Sequence, residues 1–396
     1  MSDLLFLAHR VPFPPDRGDK IRSFHVLQYL SARARVHLVA FADRAEDMVP
    51  PPAFTQELAS CTILPRHTSQ ARAAVQALAT RRPVSLAAFD DRAMATAVAR
   101  ILPRVASVYC FSGQMAQYLP DDATPVVMDF VDVDSAKFAG FAETMRWPLR
   151  AMMTREARML GAFERDVSAR VSASLFVSEA EAALFRAGGA AGRVLAVENG
   201  IDAAAFDPTC VYPAPDTAGP LIVFTGQMDY RPNIDAVTWF ARAIQPQIRA
   251  RHPAAQFAIV GRAPTPAVQA LAGEDVIVIG EVDDVRGWLA AADVCVAPLL
   301  LARGIQNKVL EAMAMARPVV ASDAAAEGID HDGTIRVAAD AADFAAQVCA
   351  VLDMPAAAAT LGQAARAQVI RRYGWDARLA PLDALFGFEG KDRTAL

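Results

Sequence analysis

The chain has 396 residues, 54% of them hydrophobic and 21% charged, and a formal net charge of −5. Such a length exceeds one ordinary core and predicts two domains, the composition excludes a disordered chain, and the acidic balance argues against a nucleic-acid binder. The five cysteines, at 61, 110, 210, 295 and 349, are widely spaced and form no Cys-x-x-Cys, which disfavours a zinc knuckle or a disulfide framework and fits a reducing cytoplasm.

The chain start, Met1 to Arg10, has no basic segment ahead of its short apolar run and reads as a strand at 4–8, not as a signal peptide. No apolar run approaches the ~18 residues that span a bilayer. Further strand-like runs follow at 36–41, 62–64, 105–110, 126–130, 173–177 and 194–197. Helical spacing lies between most of them, as at 21–31, 92–102 and 179–186. Residues 137–172, rich in Met, Arg, Ala and Glu, predict a long helix over the first sheet. Glu198-Asn199-Gly200-Ile201-Asp202 reads as a turn, and 208–220 is rich in Pro, Asp, Thr and Gly. The second half offers strands at 221–225, 257–260, 276–279, 294–297 and 319–321. Helices are predicted at 234–251, 266–272, 285–291 and 306–316, and the alanine-rich stretches 338–350 and 356–367 are good helix formers. Short apolar strands separated by helices imply parallel sheets covered on both faces, hence two doubly wound α/β domains. They are expected at 1–199 and 221–372, joined by a linker at 200–220, with 373–396 as a closing segment. Residues 1–200 carry a net +2 and the remainder −7, so an anionic membrane surface is a candidate neighbour of the first half only.

Open parallel sheets bind ligands at the carboxyl ends of their strands. Two facing sheets would place a cleft between them, so residues just after strands are the candidates. Arg303-Gly304-Ile305-Gln306-Asn307-Lys308-Val309-Leu310-Glu311 follows the strand at 294–297. Gly304 lets a ligand approach the backbone, and the helix starting near Gln306 presents free N–H groups and a positive dipole end to phosphate. Lys308 adds a cation, and Glu311, one turn on, can accept from both hydroxyls of a ribose. Gly226-Gln227-Met228-Asp229-Tyr230-Arg231-Pro232-Asn233 opens a second turn after a strand. There Asn233 is expected as a helix cap, and Arg231 either reaches a pyrophosphate or is simply solvated. Gly18, in the loop from Pro12 to Lys20, either serves an anion or sugar or only turns the chain. Asp129, Asp132 and Asp134 end another strand, and three readings stay open: an Asp-x-Asp metal site, orientation of a hydroxyl acceptor or the sugar, or helix capping with an arginine partner. The six histidines have no ligand spacing, and Walker and Gly-x-Ser-x-Gly motifs are absent.

These segments together resemble the family 4 glycosyltransferases of the GT-B fold over nearly the whole chain. The resemblance rests on the Pro/Gly loop after the first strand, Glu198-Asn199-Gly200-Ile201-Asp202, the Gly226 turn and Val260-Gly261. It rests also on Ile279-Gly280-Glu281-Val282, Lys308-x-x-Glu311 and the aromatic turn Tyr373-Gly374-Trp375-Asp376. Asp129-Phe130-Val131-Asp132-Val133-Asp134-Ser135, Gly226 to Asn233 and Arg303 to Lys308 are most similar to the exosortase (PEP-CTERM) associated sugar transferases of exopolysaccharide systems. The resemblance implies two facing Rossmann-like domains, with a last helix returning to the first. It implies cytoplasmic, retaining transfer from a nucleotide-diphosphate sugar to a glycan or lipid-linked saccharide, with peripheral contact with the inner membrane as a further expectation. Glu311 would bind the ribose, Val282 would face the base through its backbone, and Gly304, Ile305, Gln306, Asn307, Lys308 and Val309 would hold the diphosphate with Gly226. Gly18 would face the phosphates and sugar. Many members carry a glutamate where Arg303 stands, a basic residue at Gln227 and a histidine near Asp129 and Asp132. Arg303 would then neutralise the leaving diphosphate, Arg231 would replace the missing base, and Asp129 and Asp132 become catalytic candidates beside Lys308. No metal or separate cofactor is expected. A GT-B epimerase or phosphorylase and a non-catalytic binding partner are the alternatives.

Overall fold

The computed structural model describes residues 3–66, 69–213, 215, 217, 219–302 and 305–388. The chain divides into two units, one of residues 3–199 with 378–388, the other of 200–377.

Among the described residues the first unit contains β1 (Asp3–Ala8), β2 (Arg35–Ala42), β3 (Ser60–Pro65), β4 (Ser107–Phe111), β5 (Val126–Val131), β6 (Ala173–Phe176) and β7 (Val194–Ala196). They form one parallel sheet in the order β3-β2-β1-β4-β5-β6-β7. The second unit has β8 (Leu221–Thr225), β9 (Gln256–Val260), β10 (Val276–Gly280), β11 (Val294–Ala297), β12 (Val319–Ser322) and β13 (Arg336–Ala338). Their order is β10-β9-β8-β11-β12-β13, again parallel. In both sheets the chain enters at the middle and winds outward in both directions. Winding reverses between β1 and β4 and between β8 and β11, and such switch points open a crevice at the strand carboxyl ends. This is the two-domain, Rossmann-like GT-B fold.

The central strands are apolar along their whole length because helices cover both faces. Residues Leu4 to Ala8 and Leu221 to Phe224 are all nearly inaccessible to solvent. Phe240 packs on Phe257 at a ring-centroid distance of 4.3 Å, and Phe176 on Phe185 at 4.8 Å. Each such side chain contributes roughly 1.5–3 kcal/mol by burial.

Three local features differ from the sequence expectation. The edge strand β13 has only three residues and no apolar run to announce it. The long helix expected over 137–172 is two helices, Asp134–Thr144 and Leu149–Arg170. Pro148 breaks it, because proline lacks the amide hydrogen and pushes the preceding residue out of the helical region. The helix expected over 234–251 contains a π-turn at Phe240–Ile244 between Arg231–Trp239 and Gln245–Arg249. Among the described residues no single helix is long and apolar enough to cross a membrane. Ala341–Asp353 and Pro355–Tyr373 reach that apolarity only together, across a 105° bend. Their Phe344, Val348, Ala365 and Val369 are packed into the core of the second unit.

Candidate functional site

In the second unit the carboxyl ends of β8, β9 and β10 and the helix Asn307–Ala314 surround a concavity of about 540 Å³. Each of the three strands runs into a glycine followed by a polar residue: Thr225-Gly226-Gln227, Val260-Gly261-Arg262 and Ile279-Gly280-Glu281. Gln227, Arg262 and Glu281 all line the concavity. Backbone hydrogen bonds stitch the three turns: Gly226 N–H donates to Val260 O (3.0 Å), Met228 N–H to Arg262 O (2.9 Å) and Gly261 N–H to Gly280 O (2.8 Å). A Cβ at position 261 would collide with the Gly226 carbonyl. A Cβ at position 226 would lie 2.8 Å from Asn233 Nδ2 and 3.1 Å from Lys308 Nζ. Both glycines are therefore required by close approach.

Lys308 lies in the first turn of its helix. Its Nζ donates to Asn233 Oδ1 at 2.6 Å and sits 4.1 Å from the centre of the Phe224 ring. Burial lowers its pKa to about 8, with Glu311 opposing the shift. Burial raises the Glu311 carboxyl above its ordinary value, with Lys308 opposing. Asn233 Nδ2 in turn donates to Gln227 O at 2.9 Å. Asn233 does not cap its helix as expected; Tyr230 holds the cap position, and the Asn233 amide is turned toward Lys308 instead. The amide oxygen of Gln227 faces Arg262 and accepts from its Nε and Nη2. As at any helix start, the first amides of helix Asn307–Ala314 have no partner within the helix, and the helix dipole is positive there. The concavity thus combines two cations and a helix N-terminus with a carboxylate one turn away, an arrangement suited to an anion flanked by hydroxyl groups.

Of the sequence-derived residues, Gly226, Val282, Ile305, Gln306, Asn307, Lys308 and Glu311 line this concavity. Val309 does not: its side chain is buried in the core, and its N–H donates to Gln306 O at 3.0 Å. Arg231 is not a lining residue either; its exposed guanidinium donates to Asp235 at 2.8 Å. Arg262 supplies the cation there that was sought at Arg231. Arg303 and Gly304 lie outside the described residues. Thr225, Tyr230, Asn233 and Arg262 were missed as site residues. The repeated strand–glycine–polar pattern was the signal for Arg262.

In the first unit, Asp129 at the end of β5 is wholly buried. It accepts from Arg22 Nε at 2.8 Å, from the Tyr109 hydroxyl and from Val131 N–H at 3.2 Å. Arg22, also buried, reaches Asn199 Oδ1 at 2.9 Å. Burial works against the Arg22 charge, but Asp129 outweighs it and the pKa is raised. Asp129 therefore ties the helix Gly18–Ser31 to β4 and β5 and faces no open surface. Asp132 accepts from Lys137 at 2.6 Å, and Asp134 from the same amine at 3.3 Å. Among the described residues no three His, Cys, Asp or Glu side chains cluster as metal ligands. Gly18 begins the helix Gly18–Ser31, with open space where a side chain would be. Beside it Asp19 receives His9 Nε2 at 3.3 Å and Arg10 Nη1 at 2.5 Å. Those two partners, His9 foremost, hold its carboxyl far below the usual range. His9 directly follows β1, stacked on Phe111, with a buried Nδ1 that has no hydrogen-bond partner among the described residues.

Comparison with known proteins agrees with the fold. No curated protein sequence matches the chain. The fold is shared with Anabaena HepE, solved in complex with UDP (TM-score 0.59, 15% identity, 97% of this chain and 99% of that one) and also with UDP-glucose. It is shared with sucrose-phosphate synthase from Thermosynechococcus elongatus (TM-score 0.56, 18% identity, 98% of each chain). A glycosyltransferase from Rickettsia africae has it as well (TM-score 0.57, 12% identity, 98% of each chain). Residues 219–354, which include every residue lining the concavity, match the sequence profile of the family described as glycosyl transferases group 1.

Proposed function

We propose that the chain is a glycosyltransferase whose second unit binds a nucleotide-diphosphate sugar. One observation carries this reading: Lys308 at a helix N-terminus and Glu311 one turn later line the same concavity, where three glycine-ended strands converge. The group 1 profile over the same residues supports it, and the UDP and UDP-glucose held by HepE favour a uridine donor. In this reading Glu311 accepts from the ribose hydroxyls, and the backbone around Val282 meets the base. Lys308, Arg262 and the amides of Asn307 and Lys308 hold the diphosphate.

The sugar's C1–O bond breaks with its electrons going to the diphosphate. An acceptor hydroxyl attacks the same face, and its proton leaves with the departing group. Fixed cations and amides stabilise the developing charge without reorganising. Because the chain supplies its own cations, transfer is expected without a divalent metal; retention at C1 is read from the resemblance to the family 4 transferases. The acceptor is read as a glycan or lipid-linked saccharide of an exopolysaccharide system, from the resemblance of Asp129 to Ser135 and Gly226 to Asn233 to the exosortase-associated transferases. Arg303 remains proposed as a neutraliser of the leaving group.

Thermal shift with UDP-, GDP- and ADP-sugars in EDTA tests the donor reading. A rise with one nucleotide, lost in Glu311→Ala, is expected. No rise with any donor, with or without Mn²⁺, would sink it, and a rise only with Mn²⁺ would move attention to Asp132 and Asp134.

A further inference from the structure

The helices Asp134–Thr144 and Leu149–Arg170 of the first unit border two adjoining hollows. One, about 510 Å³, is walled by Val133, Ala136, Ala139, Ala157, Leu184 and Phe185, with Glu164 bonded to Ser135 as its chief polar contact. The other, about 430 Å³, is bounded by Trp147, Arg150, Arg155 and Arg158. Thr154 and Arg158 line both.

The connection between the helices is unusual for a surface facing only water. Trp147 is 84% exposed, and Phe141, Leu149 and Met152 are each about half exposed. Between residues 141 and 158, Arg146, Arg150 and Arg158 are exposed around them against one exposed acid, Glu143; Asp166 is exposed two turns farther along the helix. Glu156 adds no surface charge, because it is buried and accepts from the Val84 and Ser85 amides at 2.8 Å. Arg150, Thr154 and Arg158 recur every four residues and so form one stripe along the helix. Arg155 fixes the hairpin to the rest of the unit by donating to Ala77 O and Arg82 O at 3.1 and 3.2 Å.

We propose that this hairpin seats the first unit on an anionic lipid bilayer. Trp147, Leu149 and Met152 enter the boundary between headgroups and acyl chains, and the three exposed arginines pair with lipid phosphates. A protein interface gathers its apolar residues into a centre depleted of charge. Here Trp147, Leu149 and Met152 each have an arginine within two positions, which is the composition of an interfacial helix with its aromatic anchor. The surface belongs to the unit that does not hold the donor concavity, so it stands or falls separately from the donor reading.

Sedimentation of the full chain with vesicles tests it, using phosphatidylcholine alone or with phosphatidylglycerol added. Binding is expected only to the anionic vesicles, weakening at high salt. Trp147, the one exposed tryptophan of four, should shift its emission to the blue. Arg150→Glu with Arg158→Glu should lower vesicle partition by about tenfold or more. Trp147→Ala should lower it and remove the blue shift. Both variants replace exposed side chains and should keep the parent's circular dichroism and donor-induced thermal shift. Equal binding to neutral vesicles, no binding, or variants that bind like the parent would overturn the proposal. So would a concentration-dependent dimer abolished by Trp147→Ala, which would assign the hairpin to a second copy of the chain.

Discussion

Each unit keeps a cation on a helix near the carboxyl ends of its strands, Arg22 fully buried and Lys308 half-buried, and the two are treated oppositely. Arg22 faces the Asp129 carboxylate, so its charge is favoured despite burial. Lys308 faces a neutral amide oxygen and an aromatic ring, so its charge is disfavoured. A cation whose charge is matched by a carboxylate serves as a strut. A cation held by neutral groups still gains from an incoming anion and serves as a receptor. Both cations lie in the first turns of a helix that follows a strand end; the partner decides the role.

The largest expected effect breaks the strut. Asp129→Ala leaves Arg22 buried without its carboxylate and should cost roughly 3–5 kcal/mol in urea unfolding, while the donor-induced shift of the second unit survives. A loss below about 1 kcal/mol would erase the contrast between the units. Next, Glu311→Ala and Lys308→Met should each weaken donor binding by about 10–100-fold in calorimetry, the range for a hydrogen bond to a charged group. Lys308 also sets a pH signature. Its pKa is about 8 in the empty site, so the amine is charged below that value and neutral above it. Donor affinity should be flat below about pH 8 and fall by about tenfold per unit above it, with proton uptake on binding. Lys308→Met should abolish both the fall and the uptake.

Glu164 sharpens the comparison from the first unit, because it too is a buried charge given mainly hydroxyl and amide donors. Burial raises its pKa from 4.5 to about 7, the Ser135 bonds opposing. The folded chain thus keeps a proton that the unfolded chain releases between those values. Its contribution is full below the unfolded pKa and is lost as pH rises through about 7, roughly 1–3 kcal/mol in all. Glu164→Gln should flatten the decline in unfolding free energy over that interval. The smallest effect separates two arginines: Arg231→Ala should leave donor binding unchanged, whereas Arg262→Ala should weaken it measurably.

Much of this was legible in the sequence for a physical reason. Strands buried on both faces must be apolar throughout, so β8, β9, β11 and β12 announce themselves. Lys308 and Glu311 share one helical turn, so local spacing sufficed to pair them. Asn233 and Arg262 join Lys308 only because the sheet sets β9 beside β8 and the helix after β11 over their ends, and no local pattern encodes that order. For Asp129 the arginine-partner reading holds, but local sequence could not name the partner. A carboxylate at a strand end looks reactive until its partner, 107 residues away, is placed on it. Pro148 was visible, and its power to split a 22-residue helix from its predecessor was underweighted.

The stacked turns of β8 and β9 carry a consequence for how this molecule can change over generations. Position 261 admits no side chain while the carbonyl of Gly226 occupies that space, and position 226 admits none while Asn233 and Lys308 sit where they do. A side chain at 261 would have to displace backbone, whereas one at 226 would have to displace the Asn233 and Lys308 side chains that build the site. Variation in what the site recognises must enter through the neighbouring positions 227, 230, 262 and 281, whose side chains border the same hollow without propping one another's backbones apart. The glycines set the floor of the hollow, and the residues that follow them set what its walls can recognise.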